Sequence, residues 1–353
     1  MVTMNDVAKE AGVSRATASY ALRGDPRIMP ETAKKVHAAA RKLHYTANLS
    51  ARSLRSGRNG VIGVAIFELD RAYPSEMSAA MSREASRHGL QAIVQQTSNS
   101  KDGEIKILQK VTSQLCDGMI FSPGNVSDEE LRELSKGKPM VLLDDISPDP
   151  VFDTVNTPCE DGSRAAINHL LDIGCRNIAV IGVSYDVLID DRMATSVRGR
   201  RLVGCLQAFD EHGIDISPSQ FIPLEKWDPD TARKAGRRLA DRILSQSQEN
   251  KLDGLFCLTD TIAIGIIRGL TDRGVRIPRD VALVGFDGID ETNYFVPSIT
   301  TIQTDLDDLA EKAIQQLLKR IDSGYADSNP QKLTASYTLV KRESTIGFTP
   351  ARM

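Results

Sequence analysis

The chain has 353 residues, of which 41% are hydrophobic and 26% charged, so it is too long for one ordinary core and too apolar for a disordered polypeptide. No apolar run exceeds strand length and no signal-type apolar region opens the chain, so no membrane partner and a cytoplasmic location are expected. The net charge of -3 is unevenly spread: residues 1–60 hold eleven Lys/Arg against four Asp/Glu, and the remaining 293 hold 33 against 43. A basic head on an acidic body suits a chain whose one end meets a polyanion.

The head reads as three short helices. Thr3 caps the first, Asp6 sits in its opening turn, Val7, Ala8 and Ala11 share one face, and Gly12 ends it. Ser14 caps a second helix over about 15–22, with Ala18, Ala21 and Leu22 inward and Gly24 as its stop signal. A helix, a Gly-containing turn and a second helix make a helix-turn-helix. The third helix opens at Pro30 and Glu31 and buries Ala33, Val36, Ala40 and Leu43. Arg15, Ala16, Ser19, Tyr20 and Arg23 are then left facing outward from the second helix. Arginine forks onto guanine, alanine and tyrosine meet thymine methyls, and hydroxyls such as those of Thr3 and Ser14 suit phosphates. A small domain with a merely polar surface is the competing reading, and the charge asymmetry argues against it.

The runs MNDVAKEAGVSRATASYALRG, PETAKKVHAAARKLHY and NLSARSLRSGRNGVIGV resemble the amino-terminal signature of the LacI/GalR family of bacterial transcriptional regulators. That resemblance implies that Arg15, Ala16 and Tyr20 read bases while Thr17 and Ser19 contact phosphates. Relatives usually carry arginine where this chain has Tyr20, so a different operator sequence is implied.

Residues 48–58 combine helix formers with Arg52, Arg55 and Arg58 and place Ala51 and Leu54 on one helical step. In the family this segment resembles, a short hinge helix forms on DNA and a leucine wedges into the minor groove. The resemblance gives that position to Leu54, with Asn48, Ala51, Arg52 and Arg55 beside it. A helix so short is marginal alone, which lets its folding be conditional.

From residue 61 the pattern alternates. Strands are expected at 61–67, 91–97, 118–123 and 139–144, with helices at about 75–88, 102–115 and 128–135. A second series of strands is expected at 177–183, 220–224, 252–258 and 280–286. Alternation of this kind implies doubly wound parallel sheets in two lobes, an α/β class, with ligands beyond the carboxyl ends of the strands. The resemblance adds a type I periplasmic-binding-protein-like body whose chain crosses between lobes three times. The boundaries expected are 1–47 for the DNA-binding head, 48–59 for the hinge and 60–353 for an effector-binding and dimerisation body. Within that body the first lobe is taken as about 60–157 plus 290–325, and the second as about 158–289 plus 326–346.

Asp144, Asp260 and Asp287 each follow a strand, where a helix cap or turn residue is the plain explanation and hydroxyl recognition the functional one. The only tryptophan, Trp227, follows the 220–224 strand. The resemblance makes Trp227 and Tyr73 aromatic ligand contacts, against core packing as the alternative. It also implies an effector-gripping arginine near 198–201; that position falls on Gly199, leaving Arg198, Arg200 or Arg192 to serve, and gives Arg201 a more structural part. Thr259 stands where relatives usually have asparagine.

An enzyme is weighed and set aside: no GxGxxG follows the first strand, and neither GxxxxGK[ST] nor GxSxG occurs. His88 and His212 read as helix ends. Five dispersed cysteines read as buried thiols, and neither a cofactor nor a metal site is expected. The reading is a homodimer that binds a near-palindromic double-stranded operator under control of a small effector, a mono- or oligosaccharide. A nucleoside, purine-type or phosphorylated-sugar corepressor is the alternative.

Overall fold

The computed structural model describes residues 2–22, 24–45, 58–112, 115–189, 196–245, 251–323 and 329–350. The chain divides into two compact units, Met1–Gly60 and Val61–Met353. In the first, helices Met4–Glu10, Arg15–Leu22 and Pro30–Lys42 close over Val7, Ala8, Ala18, Ala21, Val36, Ala39 and Ala40. Ala33 and Leu43, expected inside, pack at the edge of this core and are only partly buried, while Ala39 is covered instead. Thr3 and Asp6 form a reciprocal capping box, and Ser14 Oγ accepts from the Thr17 N–H at 3.0 Å. Both caps satisfy N–H groups that a helix start otherwise leaves open.

In the second unit the described strands form two six-stranded sheets. The first runs β11-β5-β4-β3-β1-β2 and is parallel throughout, with β1 Val61–Ile66, β2 Gln91–Gln96, β3 Gly118–Phe121, β4 Met140–Leu143, β5 Asp153–Asn156 and β11 Lys332–Thr334. The second runs β12-β10-β9-β8-β6-β7, with β6 Ile178–Ile181, β7 Phe221–Ile222, β8 Gly254–Cys257, β9 Ala282–Asp287, β10 Thr300–Thr304 and an antiparallel edge at β12 Tyr337–Val340. Central strands such as β1, β8 and β9 are buried along their whole length, because helices cover both faces.

The eight strands read from the alternation all form. The helix expected over 102–115 runs Lys101–Ile107 and continues as a π-helical turn, Leu108–Thr112. The lobe assignment of the final segments differs from the sequence reading. β10, within the 290–325 stretch expected in the first lobe, pairs with β9 in the second sheet, and β11, within the 326–346 stretch expected in the second, pairs with β5 in the first. The helix Leu306–Ser323 between them packs on β3, β4 and β5. The chain thus passes between sheets near 157–158, at 305 and at 335–336, and only pairing partners far away in sequence decide which side each short strand joins.

One buried ion pair fixes the second passage. Arg320 forks onto Asp153 through Nε at 2.6 Å and Nη2 at 2.7 Å, and Asp153 also accepts from the Gln331 N–H at 2.7 Å. All five cysteines are buried free thiols, and His88 and His212 lie at helix carboxyl ends. No helix among the described residues is long and apolar enough to cross a membrane.

Candidate functional site

On the head, burying Ala18 and Ala21 turns the opposite side of Arg15–Leu22 outward, so Arg15, Ala16 and Tyr20 are exposed and Thr17 and Ser19 half-buried. Thr3 and Ser14 both cap helices, and the Ser14 and Thr17 hydroxyls lie 2.9 Å apart. Tyr20, 37% exposed, has the Arg27 guanidinium 5.0 Å from its ring centroid, while Arg27 is itself forked onto Asp25 at 2.7 and 2.9 Å. Arg27 lies past the helix in a turn, where no helical period marks it as a neighbour of Tyr20. Arg23, Asn48, Ala51, Arg52, Leu54 and Arg55 lie outside the described residues.

In the body, a cavity of about 670 Å³ opens beyond the carboxyl ends of strands from both sheets. Phe67, Glu68, Arg71 and Tyr73 follow β1, Asn99 follows β2, and Asp144 follows β4. From the other lobe come Trp227 after β7, Thr259 and Thr261 after β8, Asp287 at the end of β9, and Arg198 and Arg201 from the helix Val197–Glu211. Both sheets reverse strand order here, β1 beside β3 and β6 beside β8, which is where doubly wound sheets open a crevice.

Of the expected effector residues, Tyr73, Asp144, Arg198, Trp227, Thr259 and Asp287 come together on this lining. Thr259 also caps the helix Asp260–Thr271, accepting from the Ile262 N–H at 3.1 Å. Asp144, held at φ +56°, accepts from the Thr157 N–H at 2.7 Å and its hydroxyl at 2.8 Å. The Trp227 indole N–H donates to the Gly182 carbonyl at 2.9 Å, and the Arg198 guanidinium lies 4.7 Å from its ring centroid.

Asp260 and Arg200 do not belong to the lining. Asp260 is fully buried and accepts from the Gly288 and Ile289 N–H groups at 2.7 and 3.0 Å and from the Thr301 hydroxyl at 2.7 Å. It ties β9 to β10, and a Cβ at Gly285 would collide with it. Arg200 pairs with Glu160 on the neighbouring helix. Arg192 lies outside the described residues. Arg201, read from sequence as structural, does line the cavity. Only 3% exposed, it donates to the Leu258 carbonyl and to Asp287 Oδ1 at 3.1 Å, and it stacks 3.7 Å from the Phe286 ring centroid. Its i,i+3 spacing from Arg198 puts both on one helix face, a signal present in SVRGRR.

The cavity is electrostatically demanding. Burial pushes Asp287 up to about 6, with Arg201 opposing part of that rise. Burial also raises Asp144, against the two hydrogen bonds from Thr157. The Tyr73 hydroxyl, buried and without a hydrogen-bond partner, is pushed well above its ordinary value by burial and then by Asp144 and Asp287. Buried acceptors and an unpartnered hydroxyl beside an aromatic ring can take up a polyhydroxylated molecule.

Residues 3–48 match the bacterial regulatory proteins of the lacI family, and residues 167–345, over half of the chain, match the periplasmic binding protein-like domain. The chain is 28% identical to the catabolite control protein A of Priestia megaterium, covering 93% of this chain and 95% of that one. It is 29% identical to the HTH-type transcriptional repressor PurR of Escherichia coli, covering 98% of this chain and 97% of that one. A solved LacI-family transcriptional regulator of Sanguibacter keddieii is 30% identical, with a TM-score of 0.71 over 82% of this chain and 100% of that one. A basic helix-turn-helix head joined to a two-lobed body with a cleft at the strand ends, matched in both parts, makes this chain a member of the LacI family: a DNA-binding transcription regulator and not an enzyme.

Proposed function

We propose that the chain is a homodimeric repressor of carbohydrate-use genes, whose hold on a near-palindromic operator is set by a small sugar in the cleft. The observation that carries this reading is the cavity itself. It joins Trp227, Tyr73, Asp144, Arg201 and Asp287 in about 670 Å³, within the usual range for small-molecule pockets. A sugar offers apolar ring faces and a ring of hydroxyls, and this lining supplies an aromatic surface with carboxylate acceptors. Family membership alone does not choose the effector, since one relative is named for catabolite control and another is the repressor PurR.

In the head, Arg15, Ala16 and Tyr20 face base edges, with Thr17 and Ser19 on phosphates. Asn48, Ala51, Arg52, Leu54 and Arg55 form the hinge. Two copies satisfy the two-fold symmetry of a near-palindrome. Tyr294 and Val296, 84% and 90% exposed, give the body an apolar patch suited to the second copy. Isothermal titration with a sugar panel, followed by operator binding with and without the sugar that binds, tests the reading. A sugar that binds the cleft and changes operator affinity supports it; a panel without any ligand, or a ligand without effect on DNA, contradicts it.

A further inference from the structure

On the cleft lining Glu225 and Lys226 are exposed to solvent, and of the buried and half-buried charges all but one are matched; that one points to the effector. Arg71 pairs with Glu68 at 3.3 Å and Arg201 with Asp287 at 3.1 Å, while Asp228 is spent accepting from the Thr231 N–H at 2.8 Å. Arg198 differs. It is half-buried on the lining, its guanidinium lies 4.7 Å from the Trp227 ring centroid, and among the described residues no carboxylate or other acceptor meets it. Burial pulls this guanidinium below its ordinary value and no neighbouring charge opposes that pull. A half-buried guanidinium that meets no protein acceptor leaves donors for a ligand to use. The surroundings reinforce the same sign: Arg198 sits in the first turn of a fifteen-residue helix that has no acidic residue in that turn.

We infer that the effector is a sugar acid, a polyhydroxylated ring or chain bearing one carboxylate, which Arg198 grips while Trp227 holds the guanidinium plane in place. This rests on the reading of the cleft as a carbohydrate site and narrows it. A planar guanidinium matches a carboxylate through two parallel hydrogen bonds. One negative charge fits better than two, because the same lining carries Glu68, Asp144, Glu225, Asp228 and Asp287, and a dianionic phosphate would meet more repulsion than a single carboxylate.

The test is isothermal titration of the full chain with aldonates and uronates of the common hexoses and pentoses, each beside its neutral parent sugar and its 6- or 5-phosphate. An acid should bind at least about tenfold more tightly than its neutral parent, as expected for a charge-assisted hydrogen bond. That preference should shrink with added salt and disappear in Arg198→Met, which keeps bulk over Trp227 but removes the charge. Arg198→Lys should restore part of it. Tighter binding of a neutral sugar or of a phosphate, or an acid preference unchanged in Arg198→Met, overturns the inference and leaves the sugar cleft standing. A panel in which no sugar binds at all, acidic or neutral, removes the carbohydrate reading and the inference with it.

Discussion

Asp287 is held in the left-handed region at φ +114°, nearly buried, with Arg201 as its counter-charge and a pKa pushed up to about 6 by burial. Its folded value lies above the unfolded carboxylate value of about 3.9, so its charge costs folding free energy above pH 6, and that cost is relieved as pH falls through the window between the two. Ligand binding should show the opposite trend, because a hydroxyl donates to the ionised carboxylate. Affinity should therefore fall as pH drops through about 6, and Asp287→Asn should flatten that step in titrations from pH 5 to 8. A step of equal size in the variant would assign it to another group. On the head, Arg15→Ala should cost roughly 1–3 kcal/mol at one operator position, whereas loss of a phosphate contact would weaken all sequences alike. Binding-site selection with the variant distinguishes the two. Strand-end residues such as Asp144, Trp227 and Asp287 were legible in the sequence because a doubly wound sheet puts its loops at one edge. Asp260 was not separable from them, since its use as a tie between β9 and β10 depends on Gly288, Ile289 and Thr301, which lie 28 to 41 residues away.

Between elements, the Arg320–Asp153 fork carries the helix Leu306–Ser323 onto β5 with both side chains essentially buried. Asp153→Ala would strand a buried guanidinium and should destabilise the body by about 3–5 kcal/mol, read from urea unfolding. A loss below about 1 kcal/mol would mean that water reaches Arg320. Burial opposes the charge on Asp153, but Arg320 and Gln331 more than offset it and hold its pKa below the ordinary range. The stabilisation is therefore present above that range and is lost as pH falls through the depressed folded value. Nothing in the sequence pattern marks this tie, nor the strands β5, β10, β11 and β12. Each has only three to five residues, too few for a clear period, and their order in the sheets is set by pairing between distant segments. The long apolar strands β1, β8 and β9 were legible because burial on both faces demands continuous hydrophobic runs.

At the scale of the whole molecule, a ligand in the cleft can change the hold on DNA only through different affinities for two conformations of the body. In the function proposed above, the segment 48–59 carries that difference to the operator. Leu54→Ala should keep the salt-dependent attraction to any DNA yet lose operator affinity and bending together, as judged by mobility of circularly permuted operator fragments. Unchanged bending would rule out the wedge. Coupling between cleft and operator is read by titrating the operator with the full chain at fixed salt, with and without the sugar that binds best, in the parent and in Trp227→Ala. The parent should show at least a tenfold change in operator affinity, equivalent to about 1.4 kcal/mol of coupling, and the variant none, with its ligand-free DNA binding as in the parent. A parent whose operator affinity ignores a bound sugar, or a variant that responds as fully as the parent, would separate the cleft from control of DNA binding.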